Sequence, residues 1–143
     1  MSVLLVEVVR QCRIALPAIR AEDIGPVRRI VRAHLEMWGK LSLCDLAELG
    51  ISELLANVHR HTPGDCELLV RETSDGILVS VTDFDERLPT LDRPDDEAES
   101  GRGLYLLSGL VDQMAVEPLL YGKQIWFRLR HATAGCLREG TTG

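Results

Sequence analysis

Three short features of the chain carry residue types that could do chemistry together. Glu53 and Asn57 stand four positions apart. On a helix that spacing puts both side chains on one face, one turn from each other. Asp83 ends the alternating run Ile77, Val79, Val81, which makes it a carboxylate at a strand end. Gly101-Arg102-Gly103 precedes an apolar stretch. Glycines at such a joint let a backbone approach a phosphate closely, and a helix start favours anions. The chemistry this set would do jointly is that of a nucleotide pocket. Each part alone has an ordinary reading as a solvated helix face, a turn residue or a loop-to-helix joint. Their fixed order along the chain is what distinguishes them.

The elements that must position these residues can be read from periodicity. Ile24, Val27, Ile30, Val31, His34 and Leu35 predict a helix over 22–37. Pro26 is tolerable near its start, and Gly39-Lys40 marks its end. His34 lies on the apolar face and is read as a satisfied histidine with no functional role. The clearest helix follows, with Leu43, Leu46, Ala47, Gly50, Ile51, Leu54, Leu55 and Val58 as its stripe. Glu53, Asn57, Arg60 and His61 lie opposite that stripe and are expected to look outward. Cys66–Arg71 and Ile77–Thr82 alternate around the turn signal Ser74-Asp75-Gly76, which predicts a hairpin. Residues 84–100 hold seven acids against two arginines and read as a mobile loop, an uncommon length inside a small domain. A helix over Leu104–Val111 and strands over 113–119 and 123–130 follow. Residues 3–9 and 11–16 are short and β-like.

That order predicts an α+β fold: a two-layer sandwich with a mixed, mostly antiparallel sheet and helices on one face. At 143 residues the length suits one domain, expected over 1–131 with a lid at about 84–102 and a flexible tail at 132–143. The formal net charge of −6 argues against phosphate-backbone binding, which relies on clustered Lys and Arg. Arg28, Arg29 and Arg32 form the one dense basic group and read as a solvated helix face. Cys12, Cys44, Cys66 and Cys136 form no C-x-x-C pair, so neither a zinc site nor a disulfide framework is expected. The N-terminal apolar run is too short to cross a bilayer and lacks signal-peptide features. The expected location is cytoplasmic.

In sequence order these blocks resemble the GHKL (Bergerat-fold) ATPases, and among them the small bacterial anti-sigma factor serine/threonine kinases. The resemblance covers roughly residues 13–130. Trp38–Thr62 resembles the helix that carries the N-box, and Val79–Pro89 the strand with the G1 box. Glu97–Gln113 resembles the G2 box, and Gly122–Leu129 the closing strand. The resemblance implies ATP and Mg²⁺ as ligands. It implies that Asn57 holds the metal bridging the phosphates, and that Glu53 is the general base for an acceptor hydroxyl or a water. It further implies that Asp83 accepts a hydrogen bond from the adenine amino group, and that Gly101 and Gly103 offer backbone N–H groups to the phosphates. Arg102, His61 and Gln124 are placed near the nucleotide on the same basis.

The implied function is a kinase of a Ser or Thr on a STAS-domain anti-anti-sigma partner that also sequesters a sigma factor. The related kinases suggest a homodimer through the N-terminal strand and helix region. Two departures support an alternative, a protein-interaction switch with little catalysis. Phe84, Asp85, Glu86 and Arg87 stand where the G1 box usually has glycines, and Gln124 stands where the closing strand usually has threonine. A module cut from a sensor histidine kinase fits less well, because His59 and His61 fall inside the N-box helix, away from any phospho-acceptor hairpin.

Overall fold

The computed structural model describes residues 9–61, 64–85, 88, 91 and 102–132. Strand β1 (Gln11–Leu16) leads to helices α1 (Ile24–Met37) and α2 (Cys44–His61). Strands β2 (Cys66–Thr73) and β3 (Gly76–Asp83) follow, then α3 (Arg102–Ser108), β4 (Gln113–Leu119) and β5 (Gly122–Arg130). The strands form one five-stranded sheet in the order β1-β2-β3-β5-β4, and every pairing is antiparallel.

The pleat sorts side chains between the two faces of the sheet. Leu68, Val70, Ile77, Val79, Val81, Ile125, Phe127 and Leu129 are buried in one cluster with the α1 and α2 residues Val31, Leu35, Ala47, Ile51, Leu54 and Leu55. The alternate residues, among them Arg13, Glu67, Thr82, Gln124 and Arg128, face away from the helices. The expected two-layer α+β architecture is therefore present.

Helix α2 lies close on β5 because Gly50 has no side chain there: a Cβ would stand 2.6 Å from Phe127 Cε1. Burying Phe127 completely contributes roughly 2–3 kcal/mol. The two long helices are tied together by Arg32, which meets Asp45 at 3.3 Å and Glu48 at 2.9 Å. The basic group on α1 is thus a helix face, with two members reaching across to α2: Arg32, and Arg28, whose Nη1 donates to Ser52 Oγ at 3.3 Å.

Several boundaries differ from expectation, and α1 itself begins at Ile24, behind a 3-10 turn over Ala21–Asp23. Before α2 come Gly39 at φ +73° and a 3-10 turn over Leu41–Leu43, so the regular helix starts at Cys44. Helix α3 starts at Arg102 and stops at Ser108, because the chain from Gly109 turns back toward β4. His34 is satisfied, with Nδ1 2.8 Å from the Ile30 carbonyl and its ring edge-on to Trp38. Cys12, Cys44 and Cys66 are buried free thiols. Residues 3–8 of the β-like run at 3–9, most of the lid, and residues 133–143 of the C-terminal tail with Cys136 lie outside the described residues. No helix among the described residues is long and apolar enough to cross a membrane.

Candidate functional site

Asn57 and Asp83 share an unusual state: both are buried, and each keeps one polar atom without a partner. Asn57 is 2% exposed, and its Nδ2 has no acceptor. The expectation that it looks outward is corrected. Helix α2 is flanked by α1 on one side and α3 on another and backed by β3 and β5, so a residue off the apolar stripe is still enclosed. A buried amide donor without a partner carries a desolvation cost of about 1–3 kcal/mol. Native interiors usually meet such a donor with a water or with an acceptor atom of a ligand.

Glu53, one turn earlier, is only partly buried. Its carboxylate lies against the backbone of Gly103 at the start of α3, where a Cβ would overlap Oε2 and stand 2.7 Å from Cδ. The absence of a side chain at Gly103 is what lets the Glu53 carboxylate and the Gly103 backbone meet. Two segments 50 positions apart in the chain are thereby brought together.

Asp83 ends β3 on the helix-side face and is 1% exposed. Its Oδ1 accepts hydrogen bonds from Lys123 Nζ at 3.0 Å and from the Asp85 backbone N–H at 2.9 Å. Its Oδ2 is buried and unpartnered. Lys123, directly across in the β3–β5 register, is 2% exposed and also donates to the Asp85 carbonyl at 3.2 Å. The turn before β5 closes over this group. Gly122 sits at φ +153°, and a Cβ there would overlap the Asp83 carbonyl and stand 2.7 Å from Phe84 Cα. Asp83 also acts on its β2 partner Cys66. Burial first, and then the Asp83 and Asp65 charges, push the Cys66 thiol up to about 11.

Lys123 was not singled out from the sequence, although a signal was available. Lys123, Ile125, Phe127 and Leu129 alternate, so the lysine falls on the apolar face of β5. A charge there needs a buried partner, and Asp83 was the carboxylate at hand.

Gln124 is not brought to this site, and the expectation of a nucleotide contact is corrected. It pairs with Thr82 in the register, so the pleat aims it at the helix-free face, where Nε2 donates to Thr82 Oγ1 at 3.3 Å. There it lines a separate groove of about 470 Å³ with Trp126, Glu117 and Arg128. Arg102 is exposed at the first position of α3, next to Gly103. His61 is the last residue of α2, one turn beyond Asn57. Its side chain, and Gly101, lie outside the described residues. No group of three or more potential metal ligands occurs among the described residues.

A family model described as "Histidine kinase-like ATPase domain" matches residues 18–129, from the loop after β1 to near the end of β5. No curated protein matches the sequence. The ligand that the family implies is ATP, and the residues present fit it. Asp83 Oδ2 is an unmet acceptor suited to a base amino group, Asn57 is a buried amide in want of a partner, and Gly103 lacks the side chain that would displace the Glu53 carboxylate. With this fit and a match that spans most of the chain, the protein belongs to the histidine kinase-like ATPase domain family.

Proposed function

We propose that this domain is an anti-sigma-type regulatory kinase. It binds Mg-ATP, phosphorylates a Ser or Thr of a STAS-domain partner and sequesters a sigma factor. The observation that carries the reading is the enclosed pair on α2. Asn57 is buried with an orphaned amide, one turn from a carboxylate seated on the Gly103 backbone. A helix kept only for packing has no need of either feature.

Within this reading each residue has a definite task. Asn57 holds the metal through its side-chain oxygen, as a neutral ligand suited to a hard cation. Glu53 accepts the proton of the acceptor hydroxyl. Asp83, whose Oδ1 is taken by Lys123, presents Oδ2 to the amino group of the base. The nucleotide, when bound, supplies the phosphoryl group, and Mg²⁺ offsets its charge. Phosphorylation of the partner and sequestration of a sigma factor rest on the resemblance to the anti-sigma kinases.

A second reading, a switch with little catalysis, is favoured by one observation. The base-side carboxylate already holds a buried ammonium at 3.0 Å, which competes for its charge. Calorimetric titration of Mg-ATP into the native protein and Asn57→Ala separates the two. Metal-dependent binding that Asn57→Ala abolishes, in a variant whose unfolding free energy stays within about 1 kcal/mol of native, is the expected result. No binding at millimolar ATP by folded protein would leave the switch reading. Loss of repression in Glu53→Ala would then count against that one.

A further inference from the structure

We infer that Lys123 sets the base selectivity of the pocket, by engaging one oxygen of Asp83 and leaving the other as a single free acceptor. The inference rests on the nucleotide reading of the site and goes beyond it to a residue that the reading does not need.

The geometry is specific. Lys123 and Asp83 are 2% and 1% exposed, so water does not screen or replace their contact. The ammonium engages only Oδ1 of the carboxylate, and the Asp85 N–H engages that same oxygen. Oδ2 is left without a partner. Both described donors therefore converge on one oxygen, and the other is kept as an acceptor. The carboxylate cannot turn to share its oxygens differently without breaking two hydrogen bonds at once. The close approach of Gly122 to the Asp83 carbonyl fixes the backbone beneath it.

An acceptor-only carboxylate discriminates between purines at position 6. It takes a hydrogen bond from an amino group and repels an oxo group. A buried carboxyl that loses its cation favours the neutral acid, which can donate as well as accept and so tolerates either group. The ammonium thus does two things for recognition: it sets a cation beside the buried carboxylate, and it decides which oxygen faces the base. Lys123 is a positioning residue in this account and acts through Asp83.

The test compares ATP with inosine triphosphate, which differs in carrying an oxo group for the amino group at position 6. Binding of each, with Mg²⁺, is measured by calorimetry on the native protein, Lys123→Met and Lys123→Gln. The glutamine variant keeps a donor of similar reach and guards against the methionine variant failing to fold. Native protein should prefer ATP by roughly 10- to 100-fold, the worth of one charge-assisted hydrogen bond. Both variants should lower that ratio to within a few-fold while retaining metal-dependent binding. A folded Lys123→Gln that keeps the native ratio, whether or not both affinities fall together, would overturn the inference and leave the nucleotide site standing. Native protein that binds neither nucleotide would take down the site reading itself, and this inference with it.

Discussion

Replacing Gly103 by alanine separates the site from the fold. The new Cβ would overlap Oε2 of Glu53 and stand 2.7 Å from its Cδ. What it meets is the far end of a flexible side chain, so Glu53 moves and the helix stays. A rotamer forced from its minimum costs about 0.5–1.5 kcal/mol. Exchanging a helical glycine for alanine returns roughly 0.5–1 kcal/mol. The two nearly cancel, and the unfolding free energy should change by no more than about 1 kcal/mol. Function should not be spared, because a misplacement of about 1 Å at a reacting group can cost on the order of 100-fold in rate. Under the proposed kinase reading, phosphoryl transfer should therefore fall by about that factor in a protein of near-native stability. Gly50→Ala is the control. Its Cβ would stand 2.6 Å from Phe127 Cε1, against a fully buried ring, and overpacking there costs about 1–3 kcal/mol with no direct effect on the site. Chemical denaturation of both variants, with Mg-ATP titration and a phosphorylation assay, reads all of this. A Gly103→Ala protein that loses more than about 2 kcal/mol yet keeps native nucleotide binding and turnover would refute the reasoning. The Glu53–Gly103 contact would then be packing.

Cys66 should resist thiol reagents at neutral pH in the folded protein, because it is buried and its thiol is pushed up to about 11. Timed labelling followed by peptide mapping checks this, and rapid modification without denaturant would contradict the close packing of β2 against Asp83. Glu72 should contribute to acid stability. Its hydrogen bonds from Arg10, at 3.0 and 2.8 Å, hold its carboxyl below the usual range. That stability is present above the ordinary glutamate value, about 4.3, and is lost as pH falls through the lower folded-state value. Glu72→Gln should be less stable than native protein at pH 6 and indistinguishable from it once both are below that value. A stability gap that does not shrink on acidification would refute the assignment.

Much of the frame was legible in the residues themselves. The apolar stripe from Leu43 to Val58 predicted α2, and the alternation on either side of Ser74-Asp75-Gly76 predicted the β2–β3 hairpin, because both signals are local and follow directly from backbone period. Glu53, Asn57, Asp83 and Gly103 were nominated by type and spacing. Their relation to one another was not. That the Glu53 carboxylate lies on the Gly103 backbone depends on how α3 packs against α2, and no spacing along the chain encodes that. The burial of Asn57 followed from the same packing, although periodicity alone placed it on the outward face. Gln124 and Lys123 make the contrast sharpest. Adjacent in sequence, they are sent by the pleat to opposite faces of the sheet. The register of β5 against β3, which the turn at Gly122 and the close approach to Asp83 fix, decides that the lysine meets the aspartate. Sequence determined which elements form and which residue types they carry. Tertiary structure decided which of those residues meet, because burial and pairing are set by elements distant in the chain that come together only in the fold.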